Sequence, residues 1–343
     1  MAKRVGQKTL VFEHAPQIVS FASVGGKMEG EGPLANGFTI LTEDDKLGQD
    51  SWEKAESCLQ ASAISHALKS ARLQAEQINL HLGGDLLNQC IATNFAMRNY
   101  PIPLTGLYGA CSTFALALGM GALAVDAGGF DYISTAASSH FCSAEKQFRF
   151  PLEYGGQPTP TAQRTATAAG AVILAPNETP ETQGICVSAA VFGHVLDYGV
   201  SDPNEMGAAM APAAFDTIAQ FLRDTQTAPQ DYDLILTGDL GAIGSRLLLE
   251  LANRDNLVLR DVHRDCGLLL YDIQKQDAGA GGSGIGCSAA VLCASILPQM
   301  RDGKLKRVLF VGTGALLSAI TPLQGENIPA IAHAALLENR THQ

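Results

Sequence analysis

The sequence predicts an α/β fold built from two related halves, and three observations carry that expectation. Apolar segments of strand character alternate with amphipathic or small-residue helical segments, an order that implies parallel strands with helices on both faces. A stretch of the first half recurs in the second at a fixed offset. A cysteine stands where a strand hands over to a buried helix, in the middle of the first copy.

The recurrence is specific. The segment Ile78-Asn79-Leu80-His81-Leu82-Gly83-Gly84-Asp85-Leu86 matches Tyr232-Asp233-Leu234-Ile235-Leu236-Thr237-Gly238-Asp239-Leu240, with Asp239 lying 154 residues after Asp85. The preceding helices align at the same offset, Ile64 with Ile218 and Leu68 with Leu222. A second match joins Ala110-Cys111-Ser112 to Gly286-Cys287-Ser288, and Asp126 to Asp302, at an offset of 176. The additional 22 residues fall between Leu240 and Gly286, around 255–282, where His263, Arg264 and Asp265 form a candidate partner surface. Two halves, 1–177 and 178–343, with pseudo-two-fold symmetry and a pocket at their seam, follow from this. Glycines 109, 281, 282, 284 and 286 let backbones approach closely there.

Composition narrows the function classes. With 46% hydrophobic and 17% charged residues, the chain has the balance of a globular protein with ample core. The 23 basic and 34 acidic residues leave a net charge of −11, and no basic patch offers itself to nucleic acid or an anionic membrane. No apolar run approaches the roughly 20 residues of a membrane span. Met1-Ala2-Lys3-Arg4 does not open a signal peptide. Eight scattered cysteines without a Cys-x2-Cys pair point to a reducing compartment rather than a disulfide framework. No His-x3-His spacing and no Asp-rich loop marks a metal site, so neither metal nor cofactor is expected.

Chemistry concentrates in three places. The turn Gly109-Ala110-Cys111-Ser112-Thr113 lies between an extended segment, 102–108, and a small-residue helix, 114–126. A thiol at a helix N-terminus meets free N–H groups and the positive end of the dipole, which favours a nucleophilic thiolate or an anion pocket. Cys287, its copy, reads as core packing. Asp85 and Asp239 follow strands and read as helix caps, with Asp85 and Asn88 also placed to face a pocket. The stretch 138–168 reads as a long irregular loop carrying His140, Lys146, Arg149 and Arg164 beside Phe148, Phe150 and Tyr154. Arginine forks bond planar carboxylates bidentately while aromatic rings stack, and Arg149 is the foremost candidate for that role. His66 and His81 read as structural, and His194 or His263 as further loop histidines.

These features resemble the thiolase and ketoacyl synthase fold. More specifically, the chain resembles the stage V sporulation protein AD family of spore-forming bacteria over nearly its whole length. The resemblance rests on Val11-Phe12-Glu13-His14, Gly84-Asp85-Leu86-Leu87-Asn88-Gln89, Gly109 to Thr113 and Ser138-Ser139-His140. It continues through Gln147-Phe148-Arg149, Glu153-Tyr154-Gly155-Gly156-Gln157, Met210-Ala211-Pro212-Ala213-Ala214, Asp265-Cys266-Gly267, Ala280 to Gly284 and Thr313 to Ser318. It implies binding of dipicolinic acid (pyridine-2,6-dicarboxylate) and its loading into the developing spore, with calcium carried by the ligand. It also implies membrane-protein partners of a spore channel complex and a peripheral place at the forespore inner membrane. A homodimer is expected by analogy with the fold.

The ligand site expected on these grounds comprises Cys111, His140, Arg149, Asp85, Asn88, Arg164 and Lys146. Thiolase-fold enzymes draw a His and an Asn, or a His in a glycine-rich turn, from the second half. Here Gly238-Asp239-Leu240-Gly241 has neither, and the turn 279–286 has no His. A non-catalytic protein is therefore expected. The alternative is an active acyltransferase using Cys111, with His140 as base.

Overall fold

The computed structural model describes residues 1–148, 157–177 and 184–340. The core strands of the first half are β1 (Gln17–Gly25), β2 (Leu80–Gly84), β3 (Leu104–Gly106), β4 (Ile133–Ser139) and β5 (Ala168–Ala175). Those of the second are β6 (Ile185–Phe192), β7 (Leu234–Thr237), β8 (His263–Asp265), β9 (Arg307–Ala315) and β10 (Ala330–Asn339). They lie in the order β8-β7-β9-β10-β6-β1-β5-β4-β2-β3. Read outward from the centre, β1-β5-β4-β2-β3 and β6-β10-β9-β7-β8 are the same topology twice. The halves meet at the pair Gln17↔Cys186. The division expected at 177/178 falls between β5 and β6, next to residues outside those described.

The sheet is mixed rather than parallel throughout. Strands β4, β2 and β3, like β9, β7 and β8, run parallel, whereas β5 lies antiparallel to β4 and β1, and β10 antiparallel to β9 and β6. The parallel pairs need crossover helices. By contrast, β9 returns as β10 through a connection that never crosses the sheet, and such a return gives antiparallel pairing. The hairpin Lys3–Val5 with Thr9–Val11 belongs to the first half by sequence, yet pairs with β6.

The helices repeat as well. Helix α1 (Trp52–Ala71) is followed by α2 (Ile91–Met97), α3 (Thr113–Asp126) and α4 (Phe141–Phe148). The second half supplies α5 (Met206–Thr225), α6 (Gly241–Arg254) and α7 (Ile285–Val291), the last continuing through a π-helical turn, Leu292–Ile296, into Leu297–Arg301. Helices α1 and α5 span 20 residues each and end on left-handed residues, Arg72 and Gln226. Every boundary of α5 is that of α1 displaced by the 154 residues of the sequence repeat.

Three apolar layers follow. Leu59, Ile64, Leu68 and Ile173 pack α1 on the outer face of the first half-sheet. Ile218, Leu222, Ile235 and Val311 do the same for α5 on the second. Between them lie α3 and α7, with Phe114, Leu118, Val291 and Phe310 in the largest cluster. Helix α3 is built of small residues because it is squeezed from both sides. A Cβ on Gly119 would stand 3.1 Å from Ala190 of β6, and one on Gly121 would stand 2.9 Å from Leu174 of β5. Each large side chain buried here contributes about 1.5–3 kcal/mol. Covered on both faces, β4 and β5 are buried throughout; β5 accordingly reads as an unbroken run of apolar residues and glycine, whereas β4 buries small hydroxyl side chains among its alanines. His81 is structural: it partners Ser134 on β4, and burial lowers its pKa to about 3.

Candidate functional site

The turn into α3 is locked by its own side chains. Ser112 Oγ donates to the Gly109 carbonyl at 2.6 Å. Thr113 Oγ1 donates to the Ala110 carbonyl at 2.7 Å and accepts from Gly109 N–H at 2.8 Å. Ala110 adopts φ 49°, a left-handed conformation that costs an alanine of order 1 kcal/mol and lifts Cys111 out of the helix line. Cys111, 6% exposed, lines a cavity of about 450 Å³, a volume that includes its open mouth. Leu86, Tyr108 and Phe148 supply an apolar and aromatic wall from the first half, and Met206 and Leu317 from the second. The polar lining besides Cys111 is Glu145, Thr165 and Ser283.

Behind Cys111 stands a carboxyl from the other half. Asp239 accepts from Gly284 N–H at 2.8 Å, Thr313 Oγ1 at 2.9 Å and Ser283 Oγ at 3.3 Å, close enough to Cys111 for its charge to bear on the thiol. Gly284 can aim its N–H this way because it sits at φ +97°, where a Cβ would also stand 2.8 Å from Ser139 Oγ. Gln163 fastens the wall, its Nε2 donating to the carbonyls of Asp239 at 2.7 Å and Gly282 at 2.9 Å. Burial pushes the Asp239 pKa up to about 6, against the pull of these donors. Burial, and then the Asp239 charge, raise Cys111 well above the ordinary thiol value. The helix start was expected to favour a thiolate; the structure instead keeps the thiol protonated, because desolvation and a neighbouring carboxylate outweigh the dipole.

The repeat explains how Asp239 comes to face the seam. Its mate Asp85 is consumed by its own turn, accepting from Leu87 N–H at 2.9 Å, Thr93 N–H at 2.8 Å and Thr93 Oγ1 at 2.7 Å, and so starting α2. In the second half another residue does this. Asp265, at the end of β8, accepts from Leu240 N–H at 2.8 Å, Gly241 N–H at 3.0 Å and Thr237 Oγ1 at 2.7 Å, capping α6. Relieved of the cap, Asp239 turns toward Cys111. Burial raises Asp265 to about 7.

The other expected site residues are dispersed. His140 is buried outside the cavity wall, its Nε2–H donating to the Asp45 carbonyl at 2.7 Å and its Nδ1 accepting from Cys142 N–H at 3.1 Å. With both nitrogens engaged, and burial lowering its pKa, it is a neutral strut packed on Trp52 rather than a base for Cys111. Asn88 is exposed and paired with Gln147. Lys146 reaches Glu53 at 3.6 Å on α1. Arg164 lies over the Phe141 ring at 3.9 Å, one residue from the cavity-lining Thr165. Arg149, with Phe150 and Tyr154, lies outside the described residues. The stretch expected to be irregular contains α4, whose Ala144, Glu145 and Phe148 line the cavity. His194 is an exposed partner of Lys8 and Asp216, and His263 bonds Thr237. Cys287 is buried inside α7.

By its sequence position Asp239 reads mainly as a cap, and no local pattern marks Ser283, Thr313, Gln163, Glu145 or Tyr108 as site residues. The usable signal for Asp239 was a second aspartate, Asp265, competing for the same cap. Among the described residues no histidine lines the cavity. None group in threes with Cys, Asp or Glu to hold a metal ion.

Comparison with known proteins agrees with this geometry. Solved structures with the same fold include 3-oxoacyl-[acyl-carrier-protein] synthase III from Aquifex aeolicus, at TM-score 0.55 and 12% identity over 94% of this chain and 99% of that one. Cerulenin-bound OleA from Xanthomonas campestris superposes at TM-score 0.60 with 16% identity over 96% and 97% of the two chains. At these identities they show the thiolase-like fold alone. Stage V sporulation protein AD of Bacillus subtilis (strain 168) is 43% identical over 336 residues, 98% of each chain. The sequence model of that family matches residues 6–338, and the chain therefore belongs to the stage V sporulation protein AD family.

Proposed function

We propose that this sporulation protein is a non-catalytic member of the thiolase-like fold that binds dipicolinic acid in the cavity beside Cys111 and supports its uptake, with calcium, into the developing spore. The observation that carries the reading is the partner of Cys111. A condensing enzyme needs a base to take the thiol proton and donors for the thioester oxyanion. Asp239 stands behind the sulfur instead, and burial first and then the Asp239 charge raise the thiol pKa. What remains is a largely apolar cavity with aromatic walls, Tyr108 and Phe148, and hydroxyls at Thr165 and Ser283. A planar pyridine ring suits those walls. Arg164, next to the wall, and Arg149 are the cations proposed for its carboxylates.

Family membership supports the sporulation role, and membrane proteins of the spore channel complex are the proposed partners. No helix of the described residues is long and apolar enough to cross a membrane. Residence at the forespore inner membrane would then depend on those partners. A homodimer is proposed by analogy with the fold.

Isothermal titration with dipicolinate, with and without calcium, tests the reading. Saturable binding that weakens in Cys111→Ala and Arg149→Ala supports it, and no binding by the wild type sinks it. Intact mass after incubation with acyl-CoA tests the non-catalytic part. An adduct on Cys111 would establish acyl transfer in its place.

A further inference from the structure

Two loops of the second half carry an unusual surface. Leu323 is 84% exposed, Tyr198 66%, Ile320 61% and Val195 53%; Leu323 is the most exposed large apolar side chain among the described residues. All four lie in 195–206 and 316–329, segments containing Asp197, Asp202, Glu205 and Glu326 but no Lys or Arg. The loops are laced together. Leu196 and Ala330 exchange backbone hydrogen bonds of 2.8 and 2.7 Å, Ile328 N–H donates to the Val200 carbonyl at 2.7 Å, and Asn327 Nδ2 donates to Asp197 at 3.2 Å. The neighbouring cation Lys8 is already matched, facing Asp216 at 3.7 Å.

The same loops border the cavity, to which they contribute Met206 and Leu317. Apolar tips so exposed lose free energy to water unless something covers them. The all-acidic setting selects what can do so, because a partner must bring positive charge to these carboxylates and an apolar face to the tips. An anionic lipid surface would be repelled, and a second copy of this chain, itself at −11, would bring the wrong sign.

We propose that these loops are a docking surface for a cationic amphipathic helix of another polypeptide, seated at the mouth of the cavity. Occupation would place that partner where ligand enters and leaves.

The probe is a fluorescently labelled Leu/Lys amphipathic helical peptide, with a Leu/Glu peptide of the same pattern as control, titrated by anisotropy against the full chain. The Leu/Lys peptide is expected to bind in a salt-sensitive manner and the Leu/Glu peptide not at all. The pair Tyr198→Asp with Leu323→Asp should weaken binding about tenfold or more, and Glu205→Lys with Glu326→Lys should both weaken it and flatten its salt dependence. Tyr198, Leu323 and Glu326 are exposed and Glu205 is half-buried at the start of α5, and an unchanged melting profile verifies that the variants fold. Equal binding of the two peptides, or unchanged affinity in both variants, overturns the proposal. A lower mass of Leu323→Asp in sedimentation would assign the surface to a second copy. Tyr198- and Leu323-dependent flotation with neutral vesicles would assign it to lipid.

Discussion

Replacing Asp239 by Asn isolates the electrostatic cost of the carboxyl behind Cys111. Burial raises this carboxyl from 3.8 to about 6 in the folded chain. Because the folded-state value lies above the unfolded one, the native state holds the proton more tightly. The resulting stability is present below about pH 4 and is lost as pH rises through about 6. The rise from 3.8 to about 6, at ~1.4 kcal/mol per unit, is about 3 kcal/mol of native stability removed by ionisation. Asparagine cannot ionise, so it escapes this loss. It does turn an amide N–H₂ toward donors such as Gly284 N–H and Thr313 Oγ1, a cost of about 1–2 kcal/mol that does not vary with pH.

The variant should therefore gain about 3 kcal/mol on the wild type between about pH 4 and about pH 8, whatever its offset at acid pH. Other raised carboxyls, including Asp265, titrate in both proteins and largely cancel. The Asp239 charge itself raises Asp265, so its removal adds to the effect with the same sign. Urea unfolding curves at a series of pH values measure the difference. A difference that stays flat across the series would refute the reasoning, showing Asp239 to be ionised in the fold and held by its donors.

Three further outcomes follow from the same geometry. Cys111 should react with iodoacetamide at neutral pH about tenfold or more slowly than a free thiol, and Asp239→Asn should accelerate it; rapid stoichiometric alkylation of the wild type, located by peptide mass, would contradict the protonated thiol. Asp265→Ala should destabilise the chain by about 2–4 kcal/mol, since Leu240 and Gly241 N–H lose their acceptor, and Asp85→Ala should cost a similar amount at α2; chemical denaturation reads both. Asp224 behaves oppositely in acid: burial opposes its ionisation, but the N–H groups of Gln7, Lys8 and Thr9 win and hold it at about 2, so its stabilisation is complete above 3.8 and disappears as pH falls toward 2. Asp224→Asn should remove that acid-side slope in a fluorescence-monitored titration, and an unchanged slope would assign it elsewhere.

The duplicated fold was legible because each half must bury the same faces. The apolar spacing of α1 and α5, Ile64 with Ile218 and Leu68 with Leu222, is imposed by sheet surfaces of like shape, and both copies keep it. Antiparallel β5 and β10 were not legible, since strand direction is set by how the chain returns, and composition carries no mark of it. Helix α4 is masked in the sequence because its spaced apolar residues, Phe141, Ala144 and Phe148, sit in a stretch otherwise rich in Pro, Gly and Thr. His140 looked like a site residue because it follows a strand, yet both its nitrogens are taken by backbone groups distant in sequence or in the next turn.

Of the site itself, the sequence located Cys111 and the seam but not the residue that governs the thiol. Asp85 and Asp239 occupy matched positions in matched turns, and no local pattern tells which one caps its helix. The distinction comes from Asp265, which ends β8 at the register position that Gly106 holds at the end of β3 in the first half. By taking over the cap of α6, that carboxyl frees Asp239 to cross the seam. The cysteines diverge by a parallel route. Helix α3 begins after Cys111, which the left-handed Ala110 lifts into the cavity, whereas α7 begins before Cys287 and closes over it. Both departures from symmetry converge on Cys111, the thiol that lines the cavity, and on Asp239 across the seam. Burial and the Asp239 charge together keep the Cys111 thiol protonated. It is on this asymmetry between the halves that the proposed non-catalytic reading rests, and an acyl adduct on Cys111 would overturn it.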